Sequence, residues 1–153
     1  MGRHPQPGRD AVEVTVDGRS LVLVEDTATE DQDGTPQSVR RWAGDTASDV
    51  EVTTLTTDAR APLVPLVQEQ ALGHVMARGM ERGTPRDELT AAVRHAASIV
   101  PEGRPEAVDL DGSPAGALVV EVDGCTVAGL VDGATTVVVT STSPGRPAVR
   151  LAG

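Results

Sequence analysis

The chain has almost no aromatic side chains: among its 153 residues there is no Phe, no Tyr and a single Trp, Trp42. Buried aromatic rings usually supply much of the apolar surface of a core, so this core has to be built from Val, Leu and Ala. Branched side chains such as Val pack well on pleated sheets. The lack of aromatics therefore favours a β-rich fold.

Cysteine and long apolar runs are also scarce. The single cysteine, Cys125, cannot form an intramolecular disulfide. No stretch approaches the roughly 18 consecutive apolar residues of a membrane span. The first thirty residues also lack the apolar core of a secretory signal. These absences predict a cytoplasmic protein that has no membrane partner.

Positive charge is in deficit, because 13 Lys and Arg face 23 Asp and Glu, which gives a formal net charge of −10 at pH 7. A surface of that sign repels nucleic acid and anionic lipid. Several arginines cluster around residues 78–94, as in DNA-binding helical pairs, but Asp87 and Glu88 would face the phosphates there. We therefore expect no nucleic-acid partner, and a protein partner with a basic surface.

Sequence patterns that hold metals, phosphates or nucleophiles are missing. There is no HExxH or CxxC spacing, no Gly-x-Ser-x-Gly turn and no phosphate-binding P-loop. The acidic stretch around Asp31 and Asp33 has a spacing found in EF-hand loops, but Arg40 would stand where calcium needs a bidentate Glu. The sequence therefore predicts no metal, no cofactor and no catalytic residue, and favours a protein that is not an enzyme.

The N-terminal third contains the alternation of apolar and polar residues that is typical of strands. Residues 1–10 have no apolar pattern and are predicted to form a disordered tail, which leaves one domain over 11–153. Residues 11–26 predict a β-hairpin that turns at Asp17-Gly18.

Two further strands are expected at 38–44 and 49–57, where β-branched residues recur. Between the hairpin and these strands, residues 26–37 are acidic, polar and interrupted by Gly, Thr and Pro. That composition predicts a flexible acidic loop.

In the middle of the chain the apolar period lengthens to that of a helix, between residues 61 and 100. Gly83 is suited to the end of a first helix. Thr84 as N-cap with Pro85 at the first helical position would begin a second. The sequence predicts two helices joined by a tight turn.

The C-terminal third returns to strand alternation, divided by three Asp-Gly pairs at 111–112, 123–124 and 132–133. Asp-Gly between alternating apolar residues is a strong signal for a type I′ hairpin turn. Asp123 and Asp132 would then lie at opposite ends of one strand, more than about 20 Å apart, and could not share a metal or a proton.

Together these patterns predict an α+β fold. An antiparallel β-sheet, made of N-terminal hairpins and a C-terminal β-meander, packs on a central two-helix hairpin that covers one of its faces.

The first functional hypothesis is a non-enzymatic protein-interaction or regulatory protein of the immunity, chaperone or accessory kind. If Val39 faces the core, Trp42 is partly exposed and could anchor a partner, since Trp is enriched at interface hot spots. The candidate interaction residues lie in the acidic loop and in the strand that follows it: Trp42, Arg41, Glu30, Asp31 and Asp33. A homodimer paired through an exposed strand edge is a variant of this hypothesis.

The alternative is a small-molecule-binding domain or small enzyme with a cleft between the helical hairpin and the sheet. Its candidate residues are His74, Cys125 and an acid, either Asp58 or Glu69. Cys125 by itself is expected to be a small buried side chain at the start of a strand. The alternative requires that folding bring His74 and Cys125 together at a pocket.

Overall fold

The computed structural model describes residues 13–30, 33–44, 50–57, 63–100, 103–122, 124–142 and 146–152, which form ten strands and two helices. The tail predicted at 1–10 lies outside these residues. The elements in chain order are β1 Glu13–Val16, β2 Arg19–Ser20, β3 Val22–Glu30, β4 Pro36–Ala43, β5 Val50–Thr57, α1 Leu63–Glu81, α2 Arg86–Ile99, β6 Arg104–Leu110, β7 Ser113–Val122, β8 Cys125–Asp132, β9 Thr135–Ser141 and β10 Ala148–Ala152.

The described strands form one sheet in the order β2-β1-β10-β6-β7-β8-β9-β5-β4-β3. Neighbouring strands are antiparallel except for β10 and β6, which are parallel. β1 and β3 lie near opposite ends of this order and nevertheless contact each other, because the sheet curls almost into a barrel. The predicted α+β class is confirmed.

The curled sheet has two apolar faces. Its inner face carries most of the core, including Trp42, Val52 and Val139, which are cross-strand neighbours on β4, β5 and β9. Its outer face carries a second cluster, in which Val67 and Ala71 of α1 pack on residues of β7, β8 and β9. The buried side chains are mainly Val, as the lack of aromatics required.

The two helices confirm the predicted helical hairpin. α1 ends as expected at Gly83, which has φ +70°, and the Thr84 N–H donates to the Gly79 carbonyl at 2.9 Å. The N-cap of α2 is Pro85, without a side-chain capping hydrogen bond, so the predicted cap at Thr84 was wrong by one residue. Within the described residues, no helix is both long enough and apolar enough to cross a membrane.

α1 lies unusually close to β8 at Gly129. A Cβ at that position would stand 2.3 Å from Val67 Cγ2 and 3.0 Å from Leu63 Cδ1. Because Gly129 has no side chain, α1 can lie this close to β8, which also fixes the distance of α1 from the neighbouring strands.

The Asp-Gly turns divide into two kinds. Asp17-Gly18 and Asp111-Gly112 have positive φ at both residues, which confirms the predicted type I′ turns. Asp132, by contrast, pairs with Thr135 as the last residue of β8, so the turn is Gly133-Ala134 with positive φ at Gly133 alone. That is the pattern of a type II′ turn, and the prediction was wrong by one residue. Asp123 lies outside the described residues.

The acidic loop predicted at 26–37 is instead a β-hairpin. β3 pairs with β4 from Val22 opposite Ala43 to Glu30 opposite Pro36, with one bulge at Val24. Asp26 of this segment and the preceding Glu25 are paired across the strands, with Arg40 at 3.3 Å and with Arg41 at 3.3 Å respectively. Cross-strand ion pairs of this kind make an acidic segment compatible with a strand.

The N-terminal hairpin predicted at 11–26 is also shorter than expected. Arg19 and Ser20 pair with β1, and the Leu21 N–H donates to the Val14 carbonyl at 2.9 Å. The chain from Val22 onwards joins the other end of the strand order. The sequence does not reveal this change of strand partner, because the same alternation of apolar and polar side chains fits either neighbouring strand.

Candidate functional site

α1 covers the outer face of β7 to β9 but leaves the outer face of β3, β4 and β5 open. Between helix and open strands lies a cleft of about 660 Å³, within the size range of small-molecule sites. Strand alternation places Arg41, Thr53 and Thr140 on this side of the sheet. The described residues that line the cleft are Glu25, Gln37, Val39, Arg41, Glu51, Thr53, Leu55, Pro65, Leu66, Glu69, Gln70, Gly73, His74, Ala77 and Thr140.

Gln70 is a buried polar residue of the cleft wall, with 8% of its surface exposed. Its Nε2 donates to the Val138 carbonyl at 3.1 Å and to Thr140 Oγ1 at 2.8 Å. A carbonyl oxygen can only accept, so the first contact fixes which end of the amide faces β9. Among the described residues, Gln70 Oε1 has no hydrogen-bond partner.

Arg41 is held on the floor of the cleft by two carboxylates. Its guanidinium lies 2.9 Å from Glu51 Oε2 and 3.3 Å from Glu25 Oε1. Burial disfavours the charged guanidinium, but attraction to Glu51 and hydrogen bonds to Glu51 and Glu25 outweigh that effect and raise the pKa of Arg41. Arg41 therefore keeps its charge at any pH at which the protein would be studied.

His74 and Cys125, the two residues on which the alternative hypothesis depended, are in contact. His74 Nε2 lies 2.8 Å from Cys125 Sγ, and the tautomer of the ring decides which atom donates. Arg78 Nη1 stands 4.0 Å from the same sulfur. His74 lines the cleft, whereas Cys125 is 2% exposed at the start of β8, as expected of a small buried side chain.

This contact brings together groups that can stabilise a thiolate. An imidazole and a guanidinium near a cysteine favour its charged form. The sulfur is nevertheless shielded, because His74 lies among the residues that face the cleft and Cys125 does not. The residue through which the pair can meet a ligand is therefore His74.

The remaining candidates fall into three places. Glu69 lies in the cleft with His74, as the alternative hypothesis required. Glu30 and Asp33 are exposed around the turn between β3 and β4, away from the cleft. Asp31 and Asp58 lie outside the described residues.

Trp42 does not have the exposed position expected of an anchor. It is 1% exposed and faces the inner core opposite Val52, while Val39 faces the outer side and lines the cleft. The premise that Val39 faces the core was wrong, and the alternation of β4 then turns Trp42 inwards. Arg41, its neighbour in β4, points into the cleft instead.

Sequence reasoning missed Gln70 and Glu51 as cleft residues. Gln70 carried a usable signal, since it follows Val67 and precedes Ala71 on the buried side of α1, where a polar side chain is unusual. Glu51 carried none, because its position beside Thr140 depends on the register of β5 with β9.

Within the described residues, no three His, Cys, Asp or Glu side chains converge as they would around a metal ion. Comparisons with known protein families, with curated proteins and with solved structures found no match for this chain, so the function has to be argued from the cleft itself.

Proposed function

We propose that this chain binds a small molecule in the cleft between α1 and strands β3 to β5. The observation that carries the proposal is the Oε1 atom of Gln70, a buried acceptor in the cleft wall without a donor among the described residues. A buried acceptor without a donor lowers the stability of the folded chain by about 1–3 kcal/mol. A ligand that donates a hydrogen bond to Oε1 would recover this free energy.

Two further properties of the cleft support binding. Its walls combine aliphatic surface from Val39, Leu55 and Leu66 with a few polar groups, the mixture typical of small-molecule sites. Its floor is also fixed before any ligand arrives, because Arg41 is held by Glu25 and Glu51. Preorganised groups lose little entropy on binding.

The test is to fill the cleft from the helix side. Gly73 lines the cleft, and a Cβ there would meet nothing within 4 Å, so Gly73→Trp can enter the cleft without a backbone clash. Met76 is 45% exposed on the same helix and does not line the cleft, which makes Met76→Trp the matched control.

Small aliphatic and aromatic fragments would be screened against the 15N-labelled full chain by NMR. We expect the fragments that bind to shift the amides of Gln70, Gly73, His74 and Thr53 in the wild type and in Met76→Trp, but not in Gly73→Trp. Fragments that shift none of these amides, or that bind Gly73→Trp equally well, would show that the cleft is not a binding site.

A second candidate, a protein partner with a basic surface, is favoured by the exposed position of β3. This strand ends the strand order, and all nine of its residues are exposed, among them Glu25, Asp26 and Glu30. An edge strand offers free backbone groups to an added strand, and its acids would select a basic one.

Hydrogen exchange tests this candidate. A peptide of alternating Arg and Val should slow exchange of the β3 amides, and a peptide of alternating Glu and Val should not. Equal protection by both peptides, or by neither, would contradict recognition of a basic segment at β3.

A further inference from the structure

The charges and the acceptor in the cleft narrow the chemistry of its ligand. We infer that the ligand is a cation, a protonated amine or a guanidinium carried on an apolar body. This inference rests on the proposed function and adds the class of molecule that the cleft selects.

The charges of the residues that line the cleft indicate that the ligand is positively charged. Among the described residues, three carboxylates, Glu25, Glu51 and Glu69, face the cleft with one guanidinium, Arg41. That guanidinium is already held by Glu25 and Glu51, so an anionic ligand would have to compete with both for it. Arg78, which lies near His74, contacts Cys125 and is not among the described residues that line the cleft.

The position of Gln70 adds an independent reason. Its Oε1 can accept a hydrogen bond but cannot donate one, so it matches an N–H group and opposes a carboxylate or phosphate. The same amide bonds through Nε2 to Thr140, and Thr140 is the direct cross-strand neighbour of Glu51. An orphaned acceptor and a carboxylate therefore share one corner of the cleft, which suits an ammonium or guanidinium head with several N–H donors.

The rest of the cleft describes the body of the ligand. Val39 and Leu55 on the strands and Pro65, Leu66 and Ala77 on α1 give it aliphatic walls. A cation without an apolar part would leave these walls in contact with water. The ligand therefore combines a charged head with an apolar stem or ring.

Three compounds that share one body test this inference: 4-phenylbutylamine, 4-phenylbutanol and 4-phenylbutyrate. They would be titrated at pH 7 against the full chain by calorimetry and by NMR. We expect the amine to bind about tenfold more tightly than the alcohol, because a charge-assisted hydrogen bond is stronger than a neutral one. The carboxylate should bind most weakly. Added salt should weaken binding of the amine and leave that of the alcohol unchanged.

A variant separates charge from shape. Glu69 is an exposed residue of α1 that lines the cleft. Glu69→Gln should therefore weaken binding of the amine about two- to fivefold and leave the affinity for the alcohol unchanged. Glu81 is an exposed acid of the same helix that does not line the cleft. Glu81→Gln should leave the affinities for the amine and for the alcohol unchanged.

The outcomes distinguish this inference from the proposal on which it rests. If the alcohol or the carboxylate shifts the cleft amides at least as strongly as the amine, the cleft is a binding site and the cationic class is wrong. If none of the three compounds binds while other fragments occupy the cleft, the class is again wrong. If no fragment of any kind binds there, the proposed function itself has failed.

The same cation can come from a free amine or from a Lys side chain of another protein. The peptide Ac-Leu-Lys-Leu-NH2, compared with 4-phenylbutylamine, distinguishes these sources. Tighter binding of the peptide assigns the cation to a protein, and tighter binding of the free amine assigns it to a small molecule.

Discussion

At the scale of single residues, Gln70 joins stability to binding within one side chain. Its Nε2 atom ties α1 to the backbone of β9, and its Oε1 atom, which has no partner among the described residues, carries the proposed binding of a ligand. The two atoms act in opposite senses, because the first stabilises the folded chain and the second, while unmatched, destabilises it. If Gln70 binds a ligand as proposed, its replacement should affect both binding and the packing of α1 on β9.

Replacing Gln70 by Leu should lower the free energy of unfolding by about 1 kcal/mol. The Val138 carbonyl and the Thr140 hydroxyl lose a buried donor, but removal of the unmatched Oε1 offsets part of that loss. Urea denaturation measures the change. Gln68→Leu is the control, because Gln68 makes one longer bond of 3.4 Å to Ala97 O in a half-buried position. Equal losses in the two variants would contradict the tie between Gln70 and β9.

At the scale of elements, the packing of α1 on the sheet depends on one position without a side chain. Gly129→Ala would place a Cβ against Val67, which is β-branched, fully buried and therefore unable to rotate away. We expect a loss of about 1–3 kcal/mol, the usual effect of overpacking. Thermal unfolding measures it.

Gly116 on β7 is the matched control for this substitution. It is an exposed strand glycine where a Cβ would meet nothing within 4 Å, so Gly116→Ala should leave stability unchanged or slightly improved. A Gly129→Ala protein that is as stable as Gly116→Ala would mean that α1 can move away from β8 without loss.

The elements also show what the sequence could and could not reveal. The helical hairpin and the turns at Asp17-Gly18 and Asp111-Gly112 were predicted because their signals lie within a few residues of each other. β3 was not, because its acids become compatible with a strand only when Arg40 and Arg41 stand opposite them.

The candidate site was likewise only half predictable. Sequence reasoning named His74, Cys125 and an acid, either Asp58 or Glu69, in a cleft between the helical hairpin and the sheet. The described residues that line the cleft include residues of α1 but none of α2. The contact between His74 and Cys125 joins residues 51 positions apart, and it depends on how α1 crosses β8. Distances of that kind follow from packing rather than from local pattern.

At the scale of the whole molecule, charge and the edge of the sheet act against each other. Val22 and Val24 of β3 are 66% and 59% exposed on an edge strand, an arrangement that promotes pairing with another copy. The net charge of −10 at pH 7 opposes such pairing by mutual repulsion.

Lowering the pH towards the isoelectric point of about 4.6 should therefore cause association of the wild-type chain. Val24→Lys should reduce it, because a charge on an edge strand disfavours strand addition. Val131→Lys makes the same change of charge at an exposed position of β8, a strand paired on both sides, and should associate like the wild type. Sedimentation velocity at pH 7 and near pH 4.6 measures the association. Equal association of the Val24→Lys and Val131→Lys variants would contradict a role for β3.

The burial of Trp42 gives this molecule an optical property. With no Tyr in the chain, its intrinsic fluorescence comes from one indole, enclosed by the aliphatic side chains of the inner core. The residue before it in β4, Arg41, lies in the cleft on the opposite face of the sheet. A ligand in the cleft is thus separated from the fluorophore by a single strand, and both unfolding and occupancy can be followed by the emission of one native residue, without any label.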